Sequence, residues 1–379
     1  MCGIVGGISP GRPDLADLVG LMSATVAHRG PDDHGLWSDP DPGVVMGHRR
    51  LSIIDLSATG HQPMVSADGR WVLALNGEIY DFADHRQRLE SSGVRFRGHS
   101  DTEVLLELIA RDGVRNACRQ VDGMFAFAAW DRDRRELWLA RDPMGEKPLF
   151  QGRVGGIFVY ASELTAIRRL PGAPTTPDHE AVAEFLRLGF VPAPHSILPG
   201  ITKVPAGCLV RVDAHGQASD PEPYWSLAEV ASTGLAAPQR GTEGDWIHDA
   251  DEILRASVRR RLVADVPVGA FLSGGLDSTT IVALAQQVHP TPVRTFTVAV
   301  GGDIDESDAA AAVARHLGTD HTTLPLPELD ALALAHRVAD THDEPFADPS
   351  AIPTTLLCAA AREHVTVALS LDPPVRILE

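Results

Sequence analysis

Lysine is almost absent from this chain: Lys147 and Lys203 stand against thirty-one arginines, so no ammonium side chain follows Lys203. Positive charge is scarce altogether. The 33 Lys and Arg face 51 Asp and Glu, and the net charge of −18 argues against a general nucleic-acid binder, which needs a basic excess. Cysteine is rare too. Cys2, Cys118, Cys208 and Cys358 are far apart, with no CxxC and no Cys/His pair at zinc spacing, which argues against a disulfide framework and fits reduced thiols in a cytoplasm. Met1 to Pro10 lacks the basic start and long apolar run of a signal peptide. No stretch approaches the roughly 20 apolar residues of a membrane span, so no membrane partner is expected. There is no internal repeat and no low-complexity tract. What remains, 379 residues at 44 % hydrophobic and 22 % charged, is the composition of a cytoplasmic protein of two globular domains.

The first half reads as short strands with helices between them. The apolar run 3–8 suits a strand buried on both faces, and 71–80, 124–131, 136–142 and 157–162 share its β-rich, aromatic character. Helical patterns cover 14–28 and 102–111, the second opened by Ser100 and Asp101 with Glu103 in its first turn, as at a helix cap. Such a mixture predicts two sheets covered by helices. From about Gly216 to Gly244 the chain turns Pro-, Ser-, Gly- and Ala-rich, as a linker would. The expected division is therefore a first domain at 2–212, a linker at 213–244 and a second domain at 245–379. A helical pattern from about Asp245 to Arg261 opens that second domain. Strand 268–273, a Gly turn, helix 278–287, strand 293–300, helix 307–317, further helices and strand 364–370 then predict a parallel sheet.

Cys2 follows the initiator directly. Removal of Met1 would leave one residue with a thiol and a free α-amine of pKa roughly 7.7–8.0, hence a nucleophile carrying its own base. Three polar groups interrupt the apolar strands: Arg50 in HRRLSIID, Asn76-Gly77-Glu78 in LNGEIY, and Asp101 in HSDTEV. Each has a bland alternative, namely a surface ion pair, a hairpin turn and a plain cap. Taken with Cys2 they form a chemical set. A guanidinium holds a carboxylate, acidic groups hold an ammonium, and an Asn amide with a neighbouring Gly N–H can hold an oxyanion. Hydrolysis of a free amino acid's side-chain amide by a thiol needs these groups.

MCGIVGG, HRGPDD (28–33), RLSIID (50–55), LNGEIYD (75–81), SDTEV (100–104), DGMFAFAAWD (122–131), ARDPMGEKPL (140–149) and ASELTAI (161–167) resemble the amidotransferase domain of glutamine-hydrolysing asparagine synthetase, in order through nearly all of 1–210. The resemblance implies an α+β N-terminal-nucleophile fold, an αββα sandwich, of the class-II amidotransferases. It implies that Cys2 attacks the glutamine amide to form a γ-glutamyl thioester and ammonia. Asn76 and Gly77 would form the oxyanion hole. Arg50 would bind the substrate carboxylate within a glutamine-binding stretch of Leu51, Ser52, Ile53 and Ile54, and Glu78 and Asp101 would hold the α-ammonium.

In the second half, SGGLDS (273–278) lies between a strand and a helix, where glycines admit phosphate to backbone N–H groups and serines add donors. It lacks the GK[ST] of a Walker loop. With DVPVGAF (265–271), TFTV (295–298), DESDAA (305–310), ARHLGTDH (314–321) and DEPFADPSAIPT (343–354) it resembles the ATP-pyrophosphatase domain of the same family, an α/β parallel-sheet fold of the adenine nucleotide alpha hydrolase type. The resemblance implies ATP bound by Leu272, Ser273, Gly274, Gly275, Asp277, Ser278 and Val298, with Asp277 engaging Mg²⁺. Aspartate would be amidated through β-aspartyl-AMP, and the family's frequent homodimers imply one here.

The agreement stops at Ser370. The family's second Gly-rich loop is replaced by Leu371, Pro373 and Pro374, which remove a glycine and two N–H donors. The family's downstream lysine has no counterpart. The expectation is an incomplete second domain with an impaired synthetase step. Two alternatives stay open: an amidotransferase of secondary metabolism acting on another carboxylate, and a truncated partner that is glutaminase-only or non-catalytic.

Overall fold

The computed structural model describes residues 1–299, 305–325, 338 and 341–370. It divides into two compact units, one of residues 1–227 with 342–348, the other of the remainder.

The first unit is built on two six-stranded sheets whose strand pairs are antiparallel. Its strands are β1 Gly3–Ile8, β2 Asp33–Asp39, β3 Val44–Arg50, β4 Met64–Val65, β5 Trp71–Ile79, β6 Gly123–Asp131, β7 Glu136–Arg141, β8 Phe150–Val154, β9 Ile157–Ala161, β10 Ile201–Lys203, β11 Cys208–Val212 and β12 Glu222–Pro223. One sheet runs β10-β8-β9-β1-β3-β2 and the other β12-β11-β7-β6-β5-β4. Helices α1 Leu15–Thr25, α2 Phe82–Ser91, α3 Asp101–Asp112, α4 Val114–Gln120, α5 Leu164–Ile167 and α6 His179–Leu188 cover them.

Strand periodicity explains the layering. Successive side chains point to opposite faces, so in β5 Leu73 and Leu75 meet α3 while Val72 and Ala74 enter the apolar layer shared with Ile4, Ile8, Val44 and Met46 of the other sheet. Val5 and Val45 face α1 on the far side. Three apolar layers between four structural layers give an αββα sandwich. Strands β1, β5 and β6 are apolar on both faces because each lies between a helix layer and the opposite sheet.

The second unit contains α7 Leu227–Ala236, α8 Glu243–Arg261, β13 Val268–Phe271, α9 Leu276–Val288, β14 Arg294–Ala299, α10 Ser307–Leu317, β15 Asp320–Pro325, α11 Ala351–Ala361 and β16 Val367–Leu369; α7 begins on the last residue of the first unit. Its strands form a parallel sheet in the order β15-β14-β13-β16. β13 is the first of the four in sequence, and the strand order reverses between it and β16, the kind of place where open α/β sheets bind ligands.

Several expectations change. The 14–28 helix ends at Thr25 and continues as a 3-10 turn over Ala27–Arg29. The 213–244 stretch carries β12, paired to β11, and the wholly exposed α7. Residues 342–348 belong to the first unit. Asn76-Gly77 lies within β5 rather than in a hairpin turn. Leu371, Pro373, Pro374 and much of the region expected to hold further helices lie outside the described residues.

Candidate active site

The strand registers bring the amino-terminal residues together. In the antiparallel β1–β3 pair Gly3 lies opposite Arg49, so Cys2 and Arg50 face each other one step further along. Both extend rows that point into the layer between the sheets: Ile4 and Ile8 in β1, Val44 and Met46 in β3. In β5 the same alternation turns Asn76 and Glu78 toward that layer, continuing the row of Val72 and Ala74. The Cys2 thiol donates to the Leu51 carbonyl at 3.6 Å. Burial raises its pKa, opposed by the amino terminus, the Leu51 bond and the Arg50 and Arg29 charges.

Arg50 is 6 % exposed, which rules out a surface ion pair. Its guanidinium donates to the carbonyls of Ser57 at 3.1 Å, Ile54 at 3.3 Å and Asp55. It therefore shapes the loop that contains Leu51, Ser52, Ile53 and Ile54, all half-buried. The loop is tied further at Asp55, which has a positive φ of 59°. Its buried carboxylate accepts from Ser57 and Thr59 hydroxyls and the His99 amide. Burial acts to raise the Asp55 pKa, yet these bonds hold it well below the ordinary carboxylate range. Gly60 is dictated by the packing, since a Cβ there would lie 1.8 Å from Arg50 Nη2.

Asn76 is fully buried, and neither amide atom finds a hydrogen-bond partner among the described residues. An unpaired buried amide costs roughly 1–3 kcal/mol, so it calls for a reason. Its neighbour Leu75 is pinned on both sides: the Leu75 N–H donates to Gln62 Oε1 at 2.7 Å, and His48 Nε2 donates to the Leu75 carbonyl at 2.9 Å. Burial lowers the His48 pKa to about 4, so the ring is neutral and reaches from one sheet to the other as a donor. Gly77 admits no side chain, because a Cβ would lie 2.2 Å from the Met124 carbonyl.

Asp101 opens α3, but the cap is Ser100, whose hydroxyl accepts from the Glu103 amide at 3.2 Å. The Asp101 carboxylate accepts from Ile79 N at 2.9 Å and Thr102 N at 2.8 Å, and burial raises its pKa to about 6.

Sequence reasoning missed four groups around this set. His48 and Lys147 were not singled out; the Lys147 ammonium is buried, lies 3.2 Å from Met1 Sδ, and has its pKa lowered by burial against the Glu78 charge. Arg29 Nε donates to the Cys2 carbonyl at 2.8 Å, and its Nη1 pairs with buried Glu163 at 2.8 Å. His48 after VVMG and Glu163 within ASELTAI were visible as polar residues beside apolar ones, whereas Arg29 in HRGPDD and Lys147 in DPMGEKP lie in polar stretches that give no such signal.

In the second unit SGGLDS joins the carboxyl end of β13 to α9, with Gly275 at the helix N-cap and no side-chain cap. Ser278 Oγ accepts from the Ser273 amide at 3.1 Å and meets Ser273 Oγ at 2.8 Å, which closes the turn. A Cβ on Gly274 would lie 2.7 Å from the Ala309 Cβ. Open helix N–H groups behind a side-chain-free loop fit a phosphate group. Asp277 is exposed in the first helical turn. Among the described residues no cluster of three or more metal-ligating side chains occurs; a single carboxylate fits Mg²⁺ held largely through phosphate oxygens. Leu272 is buried in one apolar cluster, and Val298 packs against another. They share the carboxyl edge of adjacent strands, where Leu272 N donates to the Phe296 carbonyl at 2.9 Å.

Two family profiles match this chain, the glutamine amidotransferase domain over residues 1–225 and asparagine synthase over 249–371. The putative asparagine synthetase [glutamine-hydrolyzing] 2 of Methanocaldococcus jannaschii is 31 % identical over 391 residues, covering 98 % of this chain and 74 % of that protein. The chain belongs to the glutamine-hydrolysing asparagine synthetase family. Two further members agree. A putative asparagine synthetase [glutamine-hydrolyzing] of Mycobacterium tuberculosis is 36 % identical over 389 residues, 98 % of this chain and 59 % of that protein. Asparagine synthetase [glutamine-hydrolyzing] 1 of Bacillus subtilis is 32 % identical over 375 residues, 98 % and 57 % respectively. The chain thus spans less than two thirds of the length of these two members of the family. Among the described residues no helix is long and apolar enough to cross a membrane, and none of the four cysteines forms a disulfide.

Proposed function

We propose that this chain hydrolyses glutamine at Cys2 and that the ammonia feeds an ATP-dependent amidation of aspartate. The observation that carries the reading is the buried Asn76 amide, unpaired among the described residues and turned toward the layer into which Cys2 and Arg50 also project. Preorganised donors of this kind act where negative charge develops.

Loss of Met1 frees the Cys2 α-amine, which takes the Sγ proton. The thiolate attacks the glutamine side-chain carbonyl, and the Asn76 amide and Gly77 N–H hold the resulting oxyanion. The amine returns the proton to the departing nitrogen, and water cleaves the thioester to glutamate. Arg50 binds the substrate carboxylate while Glu78 and Asp101 hold its ammonium. Three of the five Arg50 N–H donors serve the loop carbonyls, which leaves two.

In the second unit Ser273, Gly274, Gly275 and Ser278 would hold the ATP phosphates, Asp277 would hold Mg²⁺, and Leu272 and Val298 would flank the nucleoside. Bound ATP supplies the activation of the acceptor carboxylate. The same reading takes the chain as a cytoplasmic homodimer, as the family resemblance implies.

The test is incubation with glutamine, then with aspartate and Mg-ATP added. Glutamate release that disappears in Cys2→Ala supports the first step, and asparagine with AMP supports the second. Release that survives Cys2→Ala sinks the reading.

A further inference from the structure

The motif DEPFADPSAIPT was attributed to the ATP half, yet its first residues fold with the glutaminase unit. The Asp343 carboxylate accepts from the backbone amides of Leu164 at 2.8 Å and Thr165 at 3.1 Å. Glu344 accepts from Ile197 N at 2.8 Å and pairs with Lys203 Nζ at 2.5 Å. Ala347 N donates to the Gly189 carbonyl at 2.8 Å. Three attachments within five residues make 342–348 a strap on this unit.

The Asp343 attachment continues inward. With its amide fixed by Asp343, Thr165 directs its hydroxyl to Glu163 Oε2 at 3.2 Å. Glu163 Oε1 accepts from Arg29 Nη1 at 2.8 Å and meets His28 Nε2 at 3.1 Å. Arg29 Nε in turn donates to the Cys2 carbonyl at 2.8 Å. Both Arg29 and Glu163 are almost fully buried, so neither can swing out without leaving an uncompensated charge. Next door the same segment grips β1 directly, through Ile4 N to Ser162 Oγ at 3.0 Å and Ser162 N to the Ile4 carbonyl at 2.8 Å. These bonds link Thr165 to the Cys2 backbone without a break.

We propose that Asp343 is a positioning residue for the glutaminase centre, setting the place of the Cys2 backbone through Thr165, Glu163 and Arg29. The proposal rests on the reading of Cys2 as the glutamine nucleophile. It gives an acid in the ATP-half motif a task in glutamine hydrolysis.

The experiment is steady-state glutamine hydrolysis by the full chain and its Asp343→Ala, Asp343→Asn and Glu163→Gln variants, with the Asp343→Ala/Glu163→Gln double. Misplacement of a nucleophile acts on the chemical step more than on binding, so Asp343→Ala should lower kcat about tenfold with KM within about twofold. Asp343→Asn keeps one acceptor oxygen and should fall between; it also serves if the alanine variant fails to fold. The double variant should lose little beyond Glu163→Gln, because both act on one relay. Wild-type kcat in both Asp343 variants, or strict additivity with Glu163→Gln, overturns the proposal. Cys2→Ala run alongside separates the failures, since hydrolysis surviving there overturns the nucleophile itself.

Discussion

Replacing Asn76 by alanine should raise stability and destroy activity together. The Asn76 amide is fully buried and has no hydrogen-bond partner among the described residues, so its removal breaks no internal bond. Relief of an unpaired buried amide is worth roughly 1–3 kcal/mol, against about 1 kcal/mol for the packing of the atoms removed. The balance is about 0 to 2 kcal/mol in favour of the variant. At 2–4 °C per kcal/mol for a unit of this size, the melting temperature of the first unit should rise by up to about 8 °C. Glutaminase kcat should fall by about 10²–10³, the loss seen when one oxyanion donor is removed. Scanning calorimetry and glutamate release on the same preparation read both quantities. A fall in melting temperature of several degrees, or a kcat within threefold of wild type, would refute the assignment of this amide to the oxyanion.

Three further outcomes follow from the site. Asp101, with its pKa raised to about 6 by burial, loses its charge as pH falls through that value and with it the attraction for the substrate ammonium; kcat/KM for glutamine should decline below about pH 6, and Asp101→Asn should raise KM and remove that limb. His48 has a pKa near 4 in the folded chain against an ordinary 6.5, so the unfolded state binds the extra proton between those values and stability should fall by about 3 kcal/mol as pH drops across the window; denaturant titrations of His48→Gln should show the pH dependence reduced by that amount. Gly60→Ala places a methyl 1.8 Å from Arg50 Nη2, so it should raise KM for glutamine at least about tenfold while leaving Cys2 alkylation by iodoacetamide intact, as kinetics and mass spectrometry would report.

How much of this was legible follows from where each signal lies. Strands β1, β5 and β6 announce themselves because burial on both faces demands an unbroken apolar run. β2 does not, since it closes the edge of its sheet and reads DHGLWSD, nor does β8 with its FQGRV. Arg50 and Asn76 stood out as polar residues in apolar strand runs, whereas Asp101 looked like an ordinary acid at a helix start. Their surroundings did not stand out. That Arg50 is engaged by loop carbonyls, that His48 and Gln62 pin Leu75, and that Leu272 and Val298 diverge into separate clusters are consequences of contacts between distant segments, and no local pattern encodes them. The strap was hidden most completely, because its residues spell a motif associated with the other half.

The strap also sets a timetable for synthesis. A ribosome that has finished residue 227 has made every strand of the first unit's two sheets, yet it must add roughly 120 more residues before Asp343 and Glu344 exist. At 5–20 residues per second that is about 6–24 s during which the amides of Leu164 and Thr165 and the Lys203 ammonium wait without their acids. Cys2 is among the first residues made, yet it acquires this support only after the first three strands of the second unit's sheet, β13, β14 and β15, have been made.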